Sequence, residues 1–209
     1  MTEPGWPQLS FPAAEAEYIR KTYQDANVIL EYGSGGSTVL AAQMPGKLVI
    51  SVESDARWSR RLQQVLDAGL PSQGIVHHVD IGPTGAWGRP LGPDQWQRFH
   101  RYPMDIWSQP FFRHPDVVLI DGRFRPACFA AVAVMCTRPV TVLFDDYADR
   151  KAYHDVEKIC APDKMIGRMA IFSLKPGDLA REQFGGMVSL FSRASYHGGS
   201  SRVYDAITD

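Results

Sequence analysis

Short apolar runs alternate with segments of helical periodicity along most of the chain. This alternation is typical of a parallel sheet that is covered by helices on both faces, in a doubly wound α/β fold. The pattern predicts strands over residues 28–30, 48–52, 75–79, 116–120 and 141–144. Residues 165–174 also alternate like a strand, whereas the chain beyond Pro176 gives no clear preference and the 198–201 tail is predicted to be mobile.

The segments between these strands carry helical signals. The pattern predicts helices over residues 12–23, from about Ser37, from Asp55 to 66, over 125–136 and over 150–159. Ser10 is predicted to cap the first of them and Asp55 to cap the third, since both side chains can accept a hydrogen bond from a free N–H group of a first turn.

Residues 81–115 interrupt the alternation. The segment is rich in glycine, proline and aromatic residues and contains one predicted helix, over 94–106. It is too apolar for a disordered linker, so we expect an ordered insertion in a single domain that spans residues 1–209. A lid over the substrate, a subunit contact and a satellite core all agree with this composition.

The overall composition restricts the partners. The sequence has 22 basic and 23 acidic side chains, a formal charge of −1, which gives no field to hold nucleic acid. Cys128, Cys136 and Cys160 form no Cys-x-x-Cys pair and are expected to be reduced thiols. No run approaches the ~20 apolar residues of a membrane span, and the N-terminus lacks the features of a signal peptide. We therefore expect a cytoplasmic protein with no membrane partner, and the oligomeric state stays open.

A glycine-rich turn follows the first predicted strand. Glu31 ends that strand, and Gly33-Ser34-Gly35-Gly36-Ser37-Thr38 follows. Glycine lets the backbone turn sharply and approach a ligand, and the helix that begins here offers unpaired N–H groups. Glu53 ends the next strand 20 residues beyond Gly33, the spacing at which a carboxylate meets a ribose diol. A dinucleotide fingerprint would place Gly or Ala where Thr38 stands, so NAD is disfavoured.

Over residues 28–147 these features resemble the class I S-adenosylmethionine-dependent methyltransferase family, whose first motif has an acidic residue and then Gly-x-Gly-x-Gly, with Ser37 here at the third glycine position. The resemblance implies a mostly parallel seven-stranded sheet with an antiparallel strand near the C-terminus.

The resemblance also implies the role of each cofactor-binding residue. Glu31 would lie near the methionine amino group, Gly33 and Gly35 against the methionine and ribose, Glu53 on the ribose hydroxyls and Asp80 near the adenine amine. The alternative is that Glu53 and Asp80 are ordinary carboxylates that cap the turns after their strands.

Three more carboxylates follow the fourth and fifth strands. Asp121, Asp145 and Asp146 are expected at one sheet edge, where their oxygens would suit Mg²⁺. The set resembles that of the metal-dependent O-methyltransferases of the catechol and caffeoyl-coenzyme A type, which implies a catalytic metal. Catechol-type enzymes carry a lysine base at the position of Phe124, so that base is missing here.

Basic residues accompany the aspartates. Arg123 and Arg125 could hold an anionic substrate by bidentate contacts, or they could neutralise the aspartates and so remove the metal site. His154 could replace the missing base, but a structural role is favoured for it, and at least one of His77 and His78 is expected to be packing.

The sequence thus predicts methyl transfer from S-adenosylmethionine to an oxygen, or less readily a nitrogen, of a small molecule. Two alternatives stay open. One is a protein that binds the cofactor without turnover, and the other is a nicotinamide-dependent oxidoreductase.

Overall fold

The computed structural model describes residues 5–197, so the 198–201 tail lies outside the described residues. Their centre is a seven-stranded sheet with the order β3-β2-β1-β4-β5-β7-β6. The strands are β1 (Val28–Tyr32), β2 (Leu48–Glu53), β3 (Gln73–His78), β4 (Val117–Ile120), β5 (Val140–Phe144), β6 (Lys164–Ile166) and β7 (Met169–Leu174). The first five run parallel, and β7 is antiparallel to both β5 and β6. The predicted doubly wound, mostly parallel α/β fold is confirmed.

Strand β1 lies at the middle of the sheet and pairs with β2 on one side and β4 on the other. Leu30 lies opposite both Ile50 and Val118, and Val118 in turn pairs with Val142. All four side chains are fully buried. Apolar residues therefore follow one another along these strands because both faces of the sheet are covered.

The helices cover the two faces separately. They are α1 (Ala13–Asp25), α2 (Gly36–Gln43), α3 (Ala56–Leu66), α4 (Trp96–Phe99), α5 (Arg101–Met104), α6 (Arg125–Met135) and α7 (Phe184–Leu190). Helices α1, α2 and α3 contribute to one apolar cluster, and α4 to α7 contribute to the other. Within residues 5–197 no helix has the length and apolar character that a membrane crossing requires.

Several predicted boundaries differ from the structure. The Ser10 cap is wrong, because Pro12 occupies the N-cap position of α1 and no side chain caps it. The Asp55 cap is confirmed, since Asp55 Oδ1 accepts from the N–H groups of Arg57 and Trp58. The predicted helix over 150–159 is a 3₁₀ helix, Lys151–Lys158, and residues 165–174 form the β6–β7 hairpin, which turns at Gly167 with φ +54°.

The insertion divides into two parts. The predicted helix over 94–106 is broken into α4, α5 and 3₁₀ turns, and its Phe99, Tyr102 and Ile106 are buried in the main core. The preceding part exposes Trp87 and Leu91, and a bridge between Thr84 and Pro90 closes it into a loop. The second part therefore belongs to the main core and forms no separate satellite core, and the loop over 84–90 lies outside that core.

Candidate active site

The glycine turn is fixed by close backbone contacts. Gly33 has φ +101°, and a Cβ there would lie 2.8 Å from the Cα of Gly122. The turn after β1 and the turn after β4 therefore both need glycine at this contact. A Cβ at Gly36 would lie 2.1 Å from the carbonyl oxygen of Gln8 in the N-terminal segment. A Cβ at Gly35 would meet nothing within 4 Å. The turn is thus packed on both sides and open at Gly35.

Glu31 lies beneath this turn and is fully buried. Its Oε1 accepts from the Tyr23 hydroxyl at 2.7 Å and its Oε2 accepts from the Thr38 hydroxyl. Thr38 Oγ1 accepts in turn from the Gly35 N–H at 2.9 Å. Burial raises the pKa of Glu31 to about 7, although the hydrogen bonds from Thr38, Tyr23 and Ser37 act to lower it. In this structure Glu31 holds the turn in place and does not line the cavity above it.

A cavity of about 460 Å³ opens above the turn. The wall combines the turn itself, the end of β2, the start of α3, the end of β4, the insertion and the N-terminal segment. The lining residues are Pro7, Gln8, Ser10, Phe11, Gly33, Ser34, Gly35, Gly36, Ser37, Glu53, Asp55, Trp58, Trp87, Gly88, Tyr102, Asp121, Gly122 and Arg123. Of the predicted cofactor residues, the structure brings Gly33, Gly35, Ser37 and Glu53 together here.

Glu53 presents one oxygen to this space. Its Oε1 accepts from the N–H groups of Ser54 and Asp55 at 2.7 and 2.8 Å. Its Oε2 receives no hydrogen bond from any residue in the range 5–197. Burial raises the pKa of Glu53, and the two backbone hydrogen bonds oppose that rise. A carboxylate oxygen that receives no hydrogen bond at a cavity wall is free to accept from a ligand hydroxyl.

Asp80 lies elsewhere. Its Oδ1 accepts from the Gly82 N–H and its Oδ2 pairs with Arg98 Nη1 at 2.8 Å, and the side chain is 55% exposed. It lines an adjacent hollow of about 560 Å³ together with His78 and Ala86. The structure therefore does not bring the predicted adenine ligand into the cavity that holds Glu53.

The three predicted aspartates do lie together. One carboxylate oxygen each from Asp121, Asp145 and Asp146 falls within 4.8 Å of the others. Arginines surround the group. Arg125 Nη2 lies 2.9 Å from Asp121 Oδ1 and 3.1 Å from Asp146 Oδ2. The pKa of Asp121 is raised to about 6 by burial, and the charge of Arg125 opposes this rise while the other two aspartates add to it.

Two further arginines complete the neutralisation. Arg168, in the β6–β7 turn, donates from Nε and Nη2 to the two oxygens of Asp145 at 3.0 and 2.8 Å, and its Nε lies 3.3 Å from Asp146 Oδ1. Arg150 Nη2 lies 2.8 Å from Asp146 Oδ2. Among residues 5–197, guanidinium groups thus contact five of the six carboxylate oxygens, and Asp121 Oδ2 is the one that none of them contacts. Because Mg²⁺ needs several free oxygen ligands, this arrangement does not fit the predicted metal.

The two arginines that follow Asp121 differ. Arg125 is buried and also donates to the carbonyl oxygens of Gly122 and Asp145. Arg123 lines the cavity, and its guanidinium makes no ion pair or hydrogen bond within the described part of the chain. Phe124 between them has φ +50° and packs on Phe99 with ring centroids 5.0 Å apart. A left-handed non-glycine residue costs about 1–3 kcal/mol, and here aromatic packing stabilises it.

A solved structure decides the family. The chain is 46% identical to a methyltransferase-like protein from Silicibacter pomeroyi, over 90% of this chain and 98% of that one, with a TM-score of 0.83. This chain belongs to the class I S-adenosylmethionine-dependent methyltransferase family. An RNA methyltransferase from Salinibacter ruber, solved in complex with S-adenosyl-L-homocysteine, is 13% identical over 83% of this chain and 97% of that one, with a TM-score of 0.47. No protein-family model and no curated protein matches the sequence.

In this methyltransferase the histidines lie outside the cavity wall. His154 donates from Nε2 to the carbonyl oxygen of Tyr147, 3.0 Å away, and its ring stacks on the Tyr147 ring. His77 packs edge-on against Phe111, and burial lowers its pKa. The structural role favoured for His154 agrees with these contacts.

The sequence did not indicate several residues of the methyltransferase cavity. Trp58 donates from Nε1 to the Ser34 carbonyl at 2.8 Å, and Tyr102 donates from its hydroxyl to the Val52 carbonyl at 3.1 Å. Trp87 has φ +62° and is 82% exposed at the cavity. The aromatic content of the insertion was the available signal for two of them, but it did not show which rings face the site.

Proposed function

We propose that this methyltransferase binds S-adenosylmethionine in the 460 Å³ cavity and transfers its methyl group to an oxygen of a small molecule. One observation carries the proposal. The cavity lies on the glycine turn, and its wall contains a Glu53 oxygen that no described residue satisfies. A carboxylate with a free oxygen at the end of β2 is suited to a ribose diol.

When it is bound, S-adenosylmethionine supplies a methyl group that its sulfonium already activates. The residues of the chain bind and position. Gly33 and Gly35 place no side chain between the backbone and the ligand, and Glu53 accepts hydrogen bonds from the ribose hydroxyls. Glu31 acts as a positioning residue, since it holds the turn through Thr38. In-line alignment of two held reactants is the main source of rate in such a transfer.

Asp121 is the proposed acceptor of the proton that leaves the substrate hydroxyl. It is the one member of the three predicted catalytic aspartates that lines the cavity. Arg125 holds its Oδ1, and no residue within 5–197 donates to its Oδ2. Asp145 and Asp146 are assigned a structural role, in which they fix Arg125 and Arg168.

The size and charge of the site support a small acceptor. The cavity of about 460 Å³ is enclosed by the insertion and the N-terminal segment as well as the glycine turn, which within residues 5–197 leaves no extended surface for a macromolecule beside the cofactor. The formal charge of −1 supports no attraction for a polyanion. Nucleic acid is therefore not the acceptor we propose.

A thermal melt with two cofactor classes tests the proposal. S-adenosylhomocysteine at about 100 times its Kd should stabilise the protein by about 2.7 kcal/mol, whereas NADH should leave the melting temperature unchanged. A shift with NADH alone would show that the oxidoreductase alternative is correct. A shift with S-adenosylhomocysteine but no conversion of S-adenosylmethionine across a panel of small hydroxylated acceptors would favour binding without turnover.

A further inference from the structure

Arg123 is a cation at the cavity wall. No carboxylate within residues 5–197 forms an ion pair with it, in contrast to Arg125 with its two aspartate partners, and its charge reaches Glu53 and Asp121 only at longer range, where it lowers the pKa of both. Burial lowers the pKa of Arg123, and the neighbouring positive charges of Arg125 and Arg89 lower it further. A partly buried guanidinium beside two like charges is stabilised when an anion binds to it.

Arg89 is a second cation near Arg123, and its charge contributes to the lowered pKa of Arg123. It follows Gly88, which lines the cavity, and its Nε is buried with no hydrogen-bond partner among the described residues. The two arginines come from different elements, the 84–90 loop and the turn after β4. A buried donor such as Arg89 Nε that finds no partner in the protein is satisfied by a bound ligand or an ordered water.

The backbone fixes where Arg123 can lie. A Cβ on Gly122 would lie 2.2 Å from the Tyr102 hydroxyl, and the Arg123 N–H donates to that hydroxyl at 3.4 Å. The left-handed Phe124 follows and packs on Tyr102 with ring centroids 5.7 Å apart. The turn is thus held on both sides of Arg123, which presents its guanidinium beside Asp121, the proposed proton acceptor.

We propose that the acceptor substrate carries an oxyanion, a carboxylate or a phosphate monoester, that binds to Arg123 with Arg89 as the second cation. The guanidinium fork matches both groups in a bidentate geometry. The inference rests on the proposed function, since it names the substrate class of that site. Trp87 lines the same cavity and is 82% exposed, so its ring is available to an aromatic body of this substrate.

Calorimetry with simple aromatic probes tests the proposal. Benzoate, phenyl phosphate and the neutral benzamide are titrated into the full-length protein with and without saturating S-adenosylhomocysteine. We expect benzoate or phenyl phosphate to bind at least about tenfold more tightly than benzamide, the scale of a charge-assisted hydrogen-bond pair. The anion that binds identifies the class, carboxylate or phosphate.

Variants of Arg123 test whether this residue binds the oxyanion. Arg123→Gln should lower the oxyanion affinity about tenfold, Arg123→Lys should lower it less, and the exposed Arg20→Gln on α1 should leave it unchanged. Circular dichroism and the melting temperature without ligand check that each variant is folded. Equal binding of benzamide and the anions, or an oxyanion affinity that survives Arg123→Gln, would overturn the proposal.

The same titrations distinguish the proposed role of Arg123 from one alternative, in which it binds the cofactor. If Arg123→Gln lowers the S-adenosylhomocysteine affinity tenfold, Arg123 holds the carboxylate of the cofactor and the proposal is wrong. If the wild-type protein binds no S-adenosylhomocysteine but still binds an anion through Arg123, the proposed function fails while the anion site stands.

Discussion

Two groups of strand-end carboxylates in this methyltransferase, Glu53 and the pair Asp145 and Asp146, have opposite surroundings. Glu53 at the end of β2 keeps one oxygen free at the wall of a cavity. Asp145 and Asp146 after β5 are covered by guanidinium groups and lie away from the cavity wall. Asp121 lies between the two groups, with one oxygen paired to Arg125 and its side chain at the cavity.

The two surroundings differ because arginines pair with one group of carboxylates and not with the other. The aspartate cluster receives Arg125 from its own turn and Arg168 from the β6–β7 turn, whereas no arginine pairs with Glu53 in the described residues. A strand-end carboxylate is therefore available to a ligand only where the fold does not neutralise it. The same holds for the cations, since Arg125 is used within the fold and Arg123 is not.

The largest effect is expected from removing Arg125. Arg125→Met should lower the free energy of unfolding by about 3–5 kcal/mol, because it removes two ion pairs and the hydrogen bonds to the carbonyl oxygens of Gly122 and Asp145 together. Arg123→Met is the matched control and should cost under about 1 kcal/mol, because Arg123 has no ion pair in the described chain. Urea unfolding measures both values. Similar losses for the two variants would contradict the contrast between them.

Glu31 should make stability depend on pH. Burial raises its pKa from 4.5 to about 7, against hydrogen bonds from Thr38, Tyr23 and Ser37 and with a small contribution from the charge of Asp121. The folded state therefore binds the proton more tightly than the unfolded state. This contribution is complete below pH 4.5 and is lost as the pH rises through 7, a difference of about 3 kcal/mol.

The variant Glu31→Gln removes this titration. The free energy of unfolding of Glu31→Gln minus that of the wild-type protein should rise by up to about 3 kcal/mol between pH 4.5 and pH 8. The exposed Glu17→Gln on α1 is the control and should show no such change between the two pH values. A stability difference between Glu31→Gln and wild type that is the same at pH 4.5 and pH 8 would show that Glu31 is not a buried acid.

The smallest effect is expected from magnesium. Since five of the six oxygens of the aspartate cluster contact arginine, millimolar Mg²⁺ should leave the melting temperature of the wild-type protein unchanged. If Mg²⁺ raises the melting temperature and Asp145→Ala abolishes that rise, the metal interpretation of the cluster is correct and the arginine interpretation fails.

The features that the sequence predicted well are local. Apolar periodicity located the strands, and strand ends located the glycine turn and Glu53, because each depends on residues close in the chain. The gathering of Asp121, Asp145 and Asp146 followed from the parallel order of β4 and β5. Topology alone was enough to bring these side chains to one edge.

The features that it did not predict depend on distant parts of the chain. Arg168 reaches Asp145 from a hairpin 23 residues further on, and Arg98 of the insertion pairs with Asp80. Gln8 closes the glycine turn from the N-terminal side. A sequence pattern reports which charges exist, but their pairing is set by tertiary contacts that periodicity does not encode.

Calorimetric titration of S-adenosylhomocysteine into wild type, Glu53→Ala and the exposed control Glu17→Ala tests the central claim most directly. The account predicts that Glu53→Ala binds about 1–3 kcal/mol more weakly, the scale for losing hydrogen bonds to a charged group, while Glu17→Ala binds like wild type. An unchanged affinity in a folded Glu53→Ala protein would contradict the assignment of the cavity as the cofactor site.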